Sequence, residues 1–393
     1  LTGGVLPPVE GAQGLMQWQI QESDFQNVAI YAQGTFDLTD KLSLTGGIRY
    51  TRDEVDTVTD KYVVRFPDAN DPRVYCKTPG LGYDDPSGRS ILGVTPDFEN
   101  SPSLSTDALL SGVCQETVDT DSSAPTWTIG LEYNVLDDML LFAKYSRGYR
   151  QGSTNPFSLP GYYTFEDEKV DVYEAGMKTQ WYGSMPGTLN ISGYYNDFTD
   201  QQIQAGALVF GLAPNAIIIN AGQSEMYGVE IEAGLSPTEN FRLSASYGYL
   251  HTELTKADLP VNTATTIHFP TSTPGTALPL SPEHQLTLAA NYSLPVDESM
   301  GLMDVGLTYS YTDDQFFTFS NYPKGKFPAY ELVNMHFNWK SVGGGPLDLA
   351  VFATNLFDEE YIVNVNEQTS SGFVSRTYGP PRMYGARVRY NFD

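Results

Sequence analysis

Four histidines, His251, His268, His284 and His336, are the first residues to weigh for metal or acid–base chemistry. They lie too far apart in sequence to form a local ligand pair, and no HExxH, GxSxG or phosphate-cradling glycine motif accompanies them. Asp119-Thr120-Asp121 sets two carboxylates close together, but without the rest of a calcium loop it reads as a solvated acidic stretch. Arg147 and Arg150, with Arg387 and Arg389 further on, have the chemistry to bind an anion. Phe316, Phe317, Phe319 and Tyr322 crowd four rings into one short segment that could grip an apolar ligand; loop packing would use the same rings. Cys76 and Cys114 are the only cysteines and are expected to bond to each other. No catalytic constellation emerges, so the expectation is a protein that is not an enzyme and carries no cofactor.

The elements that must position these residues follow a period of two. Tyr384, Ala386, Val388, Tyr390 and Phe392 alternate with Gly385, Arg387, Arg389 and Asn391. The same alternation runs through Leu42–Tyr50, Trp127–Val135, Phe241–Tyr249, Leu286–Leu294 and Val333–Trp339. Side chains two apart share one face of a strand, so these are amphipathic strands, and about 13 of them are expected. Short polar turns at 39–41, 136–138, 183–187, 237–240, 296–301 and 342–346 alternate with longer links near 53–124, 151–166, 203–215, 255–281, 317–328 and 360–377. The segment 53–124 is acidic and proline-containing, and is expected to be one long external loop rather than a second domain.

Composition narrows the class. A net charge of −26 argues against a nucleic-acid partner, which demands a basic footprint. The longest apolar runs are too short for a membrane helix, yet a barrel strand hides only every second residue in lipid. A soluble sandwich or propeller would also alternate. Two features favour the membrane: Tyr50, Tyr133, Tyr145, Trp181, Tyr292, Tyr311 and Trp339 mark strand ends as an interfacial girdle would, and the opposite face carries Ser, Thr, Asn and Gly with scattered charges. On that reading Arg387, Arg389, Glu230, Glu232 and Lys178 face a wet lumen, where charges are ordinary.

Several segments resemble one family in its own order. They are Tyr145-Ser146-Arg147-Gly148-Tyr149-Arg150-Gln151-Gly152; Glu168-Lys169-Val170 with Tyr173-Glu174-Ala175-Gly176-Met177-Lys178; Asn220-Ala221-Gly222 with Tyr227-Gly228-Val229-Glu230-Ile231-Glu232; Asn355-Leu356-Phe357-Asp358 with Tyr361; and Tyr378-Gly379-Pro380-Pro381-Arg382. The chain is similar over nearly its whole length to the C-terminal part of a TonB-dependent outer-membrane receptor barrel. The resemblance implies an all-β, antiparallel transmembrane β-barrel domain over residues 1–393, with these strands forming part of a wall of about 22. The family's plug domain and TonB box are not visible in the sequence, and Asp393 follows the aromatic residue with which members usually end. The chain begins at Leu1 without an initiator Met or leader, which reads either as a processed chain or as part of a longer one. By resemblance the location is the bacterial outer membrane. The implied function is energy-coupled uptake of a scarce nutrient, foremost a ferric siderophore or similar iron complex. Outer-membrane lipid, a small-molecule ligand and the TonB energy-coupling complex, reached through a plug, are the implied partners. A passive porin or surface-adhesion barrel is the alternative.

Overall fold

The computed structural model describes residues 14–68, 71–76, 105, 112, 114–156, 158, 161–209, 215–258, 260–261, 266–269, 273–318, 321, 323–368 and 373–392. Thirteen strands form one antiparallel path in chain order. They are β1 (Gly14–Asp37), β2 (Leu42–Asp68), β3 (Gln115–Leu136), β4 (Met139–Arg150), β5 (Glu168–Trp181), β6 (Gly187–Val209), β7 (Asn215–Thr238), β8 (Phe241–Ala257), β9 (His284–Ser293), β10 (Leu302–Thr312), β11 (Tyr330–Lys340), β12 (Leu347–Thr354) and β13 (Met383–Tyr390). Each strand pairs with its neighbours in sequence, and among the described residues no ladder joins β1 to β13. The wall is therefore a curved meander with two edges.

Register decides which residues share a face. Tyr145, Tyr173, Tyr195, Tyr227 and His251 are successive cross-strand partners through β4–β8. Further along, Phe337 pairs with Val351, and Val351 with Ala386. Following such rows from β2 to β13 joins Ile48, Ile129, Val229, Leu288, Leu307, Val351 and Val388 on one apolar surface, all of them exposed. Among the described residues nothing covers this surface, so the alternation of sequence has become an apolar exterior and a polar interior. Trp181 donates to the Met185 carbonyl at 2.8 Å and Trp339 to the Met300 carbonyl at 2.6 Å, both at the short-turn end. That is where an indole finds lipid on one side and water on the other. The turn before β10 closes through Gly301 at φ 87°, a left-handed conformation suited to glycine.

The expected loop at 53–124 is corrected. Strand β2 runs on to Asp68, Asp71–Cys76 folds back against it, and β3 has begun by Gln115, with Asp53 opposite Ser122 and Asp60 opposite Gln115. The expected link at 203–215 shrinks likewise, since β6 reaches Val209 and β7 starts at Asn215. A barrel strand needs about 9–11 residues to cross the hydrocarbon, whereas β2 has 27 and β7 has 24. Because the turns at one end are tight, the surplus projects from the other end as two raised blades, β1–β3 and β6–β8. The small apolar clusters lie at this end: Ala205, Ala207 and Ile217 with Tyr162, and Phe327, Ile362 and Val365 with Phe317.

Candidate functional site

The inner face carries the polar chemistry. Lys144 pairs with Glu174 at 2.7 Å, and Asn190 donates to Glu232 at 3.4 Å. These side chains and Lys178 and Glu230 line a cavity of about 450 Å³ on that face. Arg387 and Arg389 sit on the same side, opposite Ala350 and Asp348. Several inner-face aromatics pack against a cross-strand glycine: Phe142 on Gly176 and Tyr194 on Gly228 are the clearest.

Near the mouth, at the height of Tyr50, a second recess of about 570 Å³ is lined by Asn27, Arg49, Thr51, Asp53, Tyr149 and Arg150 among others. Arg49 Nε donates to Thr51 Oγ1 at 2.8 Å. Asp53, only 4% exposed, accepts hydrogen bonds from Asn27 and from the Tyr149 hydroxyl. Arg150 reaches Glu168 at 2.9 Å through one nitrogen while its side chain stays 60% exposed.

The strap linking β4 to β5, described at residues 151–156, 158 and 161–166, borders this recess through Gln151 and is tied to both blades. On one side the Thr57 and Thr154 hydroxyls lie 2.7 Å apart, Gly152 N–H donates to Ser122 at 2.9 Å, and Lys61 Nζ donates to the Pro156 carbonyl at 2.5 Å. On the other, Gln202 donates to the Gln151 and Glu166 carbonyls at 2.9 Å, and Glu166 N–H donates to Asn220 at 2.7 Å. Lys61 also pairs with Glu116 at 2.8 Å. Burial pulls its ammonium below the usual lysine pKa, against the rise that Glu116 supplies.

The structure separates residues that sequence had grouped. Arg147 shares the outer face with Tyr145 and Tyr173, where it is clamped by Asp171 and lies 4.9 Å from the Trp127 ring. Arg147 and Arg150 nevertheless both border the mouth recess, where Arg49 joins them. Phe317 packs 6.2 Å from Phe327, and the Lys326 ammonium lies over Phe316 at 5.6 Å, so both rings have partners within their own loop. Phe319 and Tyr322 lie outside the described residues. Cys76 and Cys114 are bonded, with Cα atoms 5.0 Å apart. Asp119 and Asp121 lie exposed on β3, and among the described residues no group of His, Cys, Asp or Glu is placed to hold a metal ion.

An antiparallel wall with an apolar exterior, an interfacial row of tyrosines and a polar interior defines a membrane β-barrel wall. A family model described as TonB dependent receptor-like, beta-barrel matches residues 2–356, and the chain belongs to that family of the bacterial outer membrane. Among curated proteins nothing matches it significantly. Among solved structures it is similar to the ferric yersiniabactin uptake receptor FyuA from Yersinia pestis, with TM-score 0.66 and 16% identity over 96% of this chain and 47% of that one. It is similar to the siderophore receptor PiuA from Acinetobacter baumannii, with TM-score 0.64 and 15% identity over 94% of this chain and 43% of that one. The closed form of the ferric-catecholate import receptor Fiu from E. coli K12 gives TM-score 0.60 and 19% identity, over 94% and 45%. The chain thus spans less than half the length of these three receptors, and the likeness shows the fold.

Proposed function

We propose that these residues form the wall and much of the outer mouth of a receptor that takes up a ferric chelate across the outer membrane. The observation that carries this reading is the wet, charged inner face inside an apolar exterior, in a chain of the TonB-dependent receptor barrel family. The names of the similar receptors above, each for an iron chelate or siderophore, support the ligand class. Energy would come from the TonB complex acting through a plug domain lying outside these 393 residues. The raised blades and their links, including residues 53–124, would face the outside and meet the ligand first.

The test is uptake of radioactive iron by cells whose own chelate receptors are deleted and which express the full-length protein. Accumulation from at least one chelate, abolished when TonB is deleted, is the expected result. Iron entry that persists without TonB would establish a passive porin instead. No entry of iron from any chelate would overturn the uptake reading and return the adhesion barrel to the front.

A further inference from the structure

We propose that the lipid-facing side of β3–β6 carries a seat for one lipid, a phosphatidylethanolamine, with an acyl chain in an apolar trough and its ammonium at a row of carboxylates. The proposal needs only the apolar exterior and the membrane location, so it stands or falls apart from the uptake reading. The trough is a depression of about 590 Å³ on the exterior. Its floor is Ala143, Ala175 and Gly193, which are successive cross-strand partners. Tyr145, Tyr173 and Tyr195 bound it on the mouth side, their rings 4.9 and 6.4 Å apart. Bulk returns on the other sides: Leu131 lies opposite Ala143, Val229 opposite Gly193, and the row Leu141, Met177 and Ile191 runs below. The wall itself does not demand so small a floor. A Cβ on Gly193 would meet only the Gly228 carbonyl oxygen, at 3.7 Å, an ordinary contact.

Depth and charge select the occupant. Tyr173 lies eight positions from Trp181 on β5. At about 3.3 Å per residue and a tilt near 40°, the tyrosine row stands about 20 Å from the short-turn interface, within an apolar band about 25 Å tall. The trough therefore opens in the half of the membrane nearer the mouth. Two positions beyond the tyrosines, at headgroup level, Arg147, Asp171, Asp197, Glu225 and Glu253 are successive cross-strand partners. Like charges directly opposite each other across strands repel. Arg147 answers Asp171, the Tyr145 and Tyr195 hydroxyls donate to Asp171 and Glu225 at 2.8 Å, and His251 Nε2 lies 3.9 Å from Glu253. Asp197, at the centre, has no hydrogen bond or ion pair among the described residues. An amphiphile that is apolar below and cationic above relieves this row while filling the trough. A lipid whose only charge is a phosphate meets repulsion at the same place.

The test uses the full-length protein in detergent, stripped of lipid and then titrated with phosphatidylethanolamine, phosphatidylglycerol of identical chains, or lipid A. Native mass spectrometry reads what each barrel retains. The wild type should hold one phosphatidylethanolamine about tenfold or more tightly than phosphatidylglycerol. Ala175→Leu, which fills the trough with a side chain suited to lipid, should remove that retention. Asp197→Asn should still bind lipid but narrow the preference between the two headgroups; with no partner to orphan, it keeps the test decisive if Ala175→Leu fails to fold. Equal retention of the two phospholipids, tighter retention of lipid A, or an Ala175→Leu variant that binds like wild type overturns the proposal. A wild-type dimer that Ala175→Leu dissociates overturns it too, by assigning the trough to a second copy of the chain.

Discussion

Arg147 and Arg150 are three positions apart, and in a strand an odd separation means opposite faces. Arg147 is accordingly held by Asp171 and Trp127 at the edge of the mouth recess, and Arg150 pairs there with Glu168 from the other face. The signal that separates them was present in sequence, since Arg150 differs in parity from Tyr145 of the apolar row. The same parity reading would have found Arg49, which alternates with Ile48 and Tyr50. The neighbours that complete the recess around Arg49, Asn27 and Tyr149 on Asp53, come from other strands and were not legible. Glycines show the same dependence on neighbours. A Cβ on Gly228 would sit 2.7 Å from the Tyr194 hydroxyl and closer still to the Tyr249 carbonyl oxygen, whereas one on Gly248 would meet nothing within 4 Å. Both are inner-face glycines on adjacent strands. Gly228→Ala is expected to destabilise the wall by about 1–3 kcal/mol through overpacking, and Gly248→Ala to be near neutral. The heat at which the full-length barrel loses its compact electrophoretic mobility reads the difference; equal shifts would remove the aromatic-over-glycine account.

At the scale of elements, the thirteen wall strands and the short-turn end were legible because lipid on one side and water on the other impose a strict alternation. Where β2 and β3 leave the membrane that constraint ends. Residues Asp53–Lys61 put acids and valines on both faces, so the sequence reads as loop although main-chain pairing continues. What replaces lipid as the organising force there is burial against the strap: Thr57, Thr59 and Lys61 are all 2% exposed or less. The disulfide Cys76–Cys114 fastens the tip of this blade across 38 positions. Closing such a loop contributes roughly 4 kcal/mol as an entropic upper bound. Replacing both cysteines by serine should leave the membrane-spanning wall intact by electrophoretic mobility but loosen the blade, so that trypsin now cuts at the buried Lys61. Digestion patterns that match with and without the bridge would show that it adds nothing to the blade.

Across the whole molecule, one surface runs unbroken from Ile48 on β2 to Tyr390 on β13, and its reverse carries every lumenal charge named above. Thirteen antiparallel strands leave β1 and β13 pointing the same way, each with an unpaired edge among the described residues. Such edges are costly in hydrocarbon, so the wall needs further strands to close. The face assignment is the property on which location and ligand path both depend, and neighbouring residues on β9 test it. Leu288 is exposed on the apolar surface near the middle of its strand, while Thr287 points to the interior opposite Ser246 and Ser310. An arginine on the lipid face at mid-bilayer costs a barrel about 2–4 kcal/mol, and far less in a water-filled interior. Leu288→Arg in the full-length protein should therefore sharply reduce the folded barrel recovered in outer membranes, and Thr287→Arg should reduce it little. Were the two variants tolerated equally, or the order reversed, the exterior would not be the lipid face, and the reading of the recess as a lumenal mouth would fall with it.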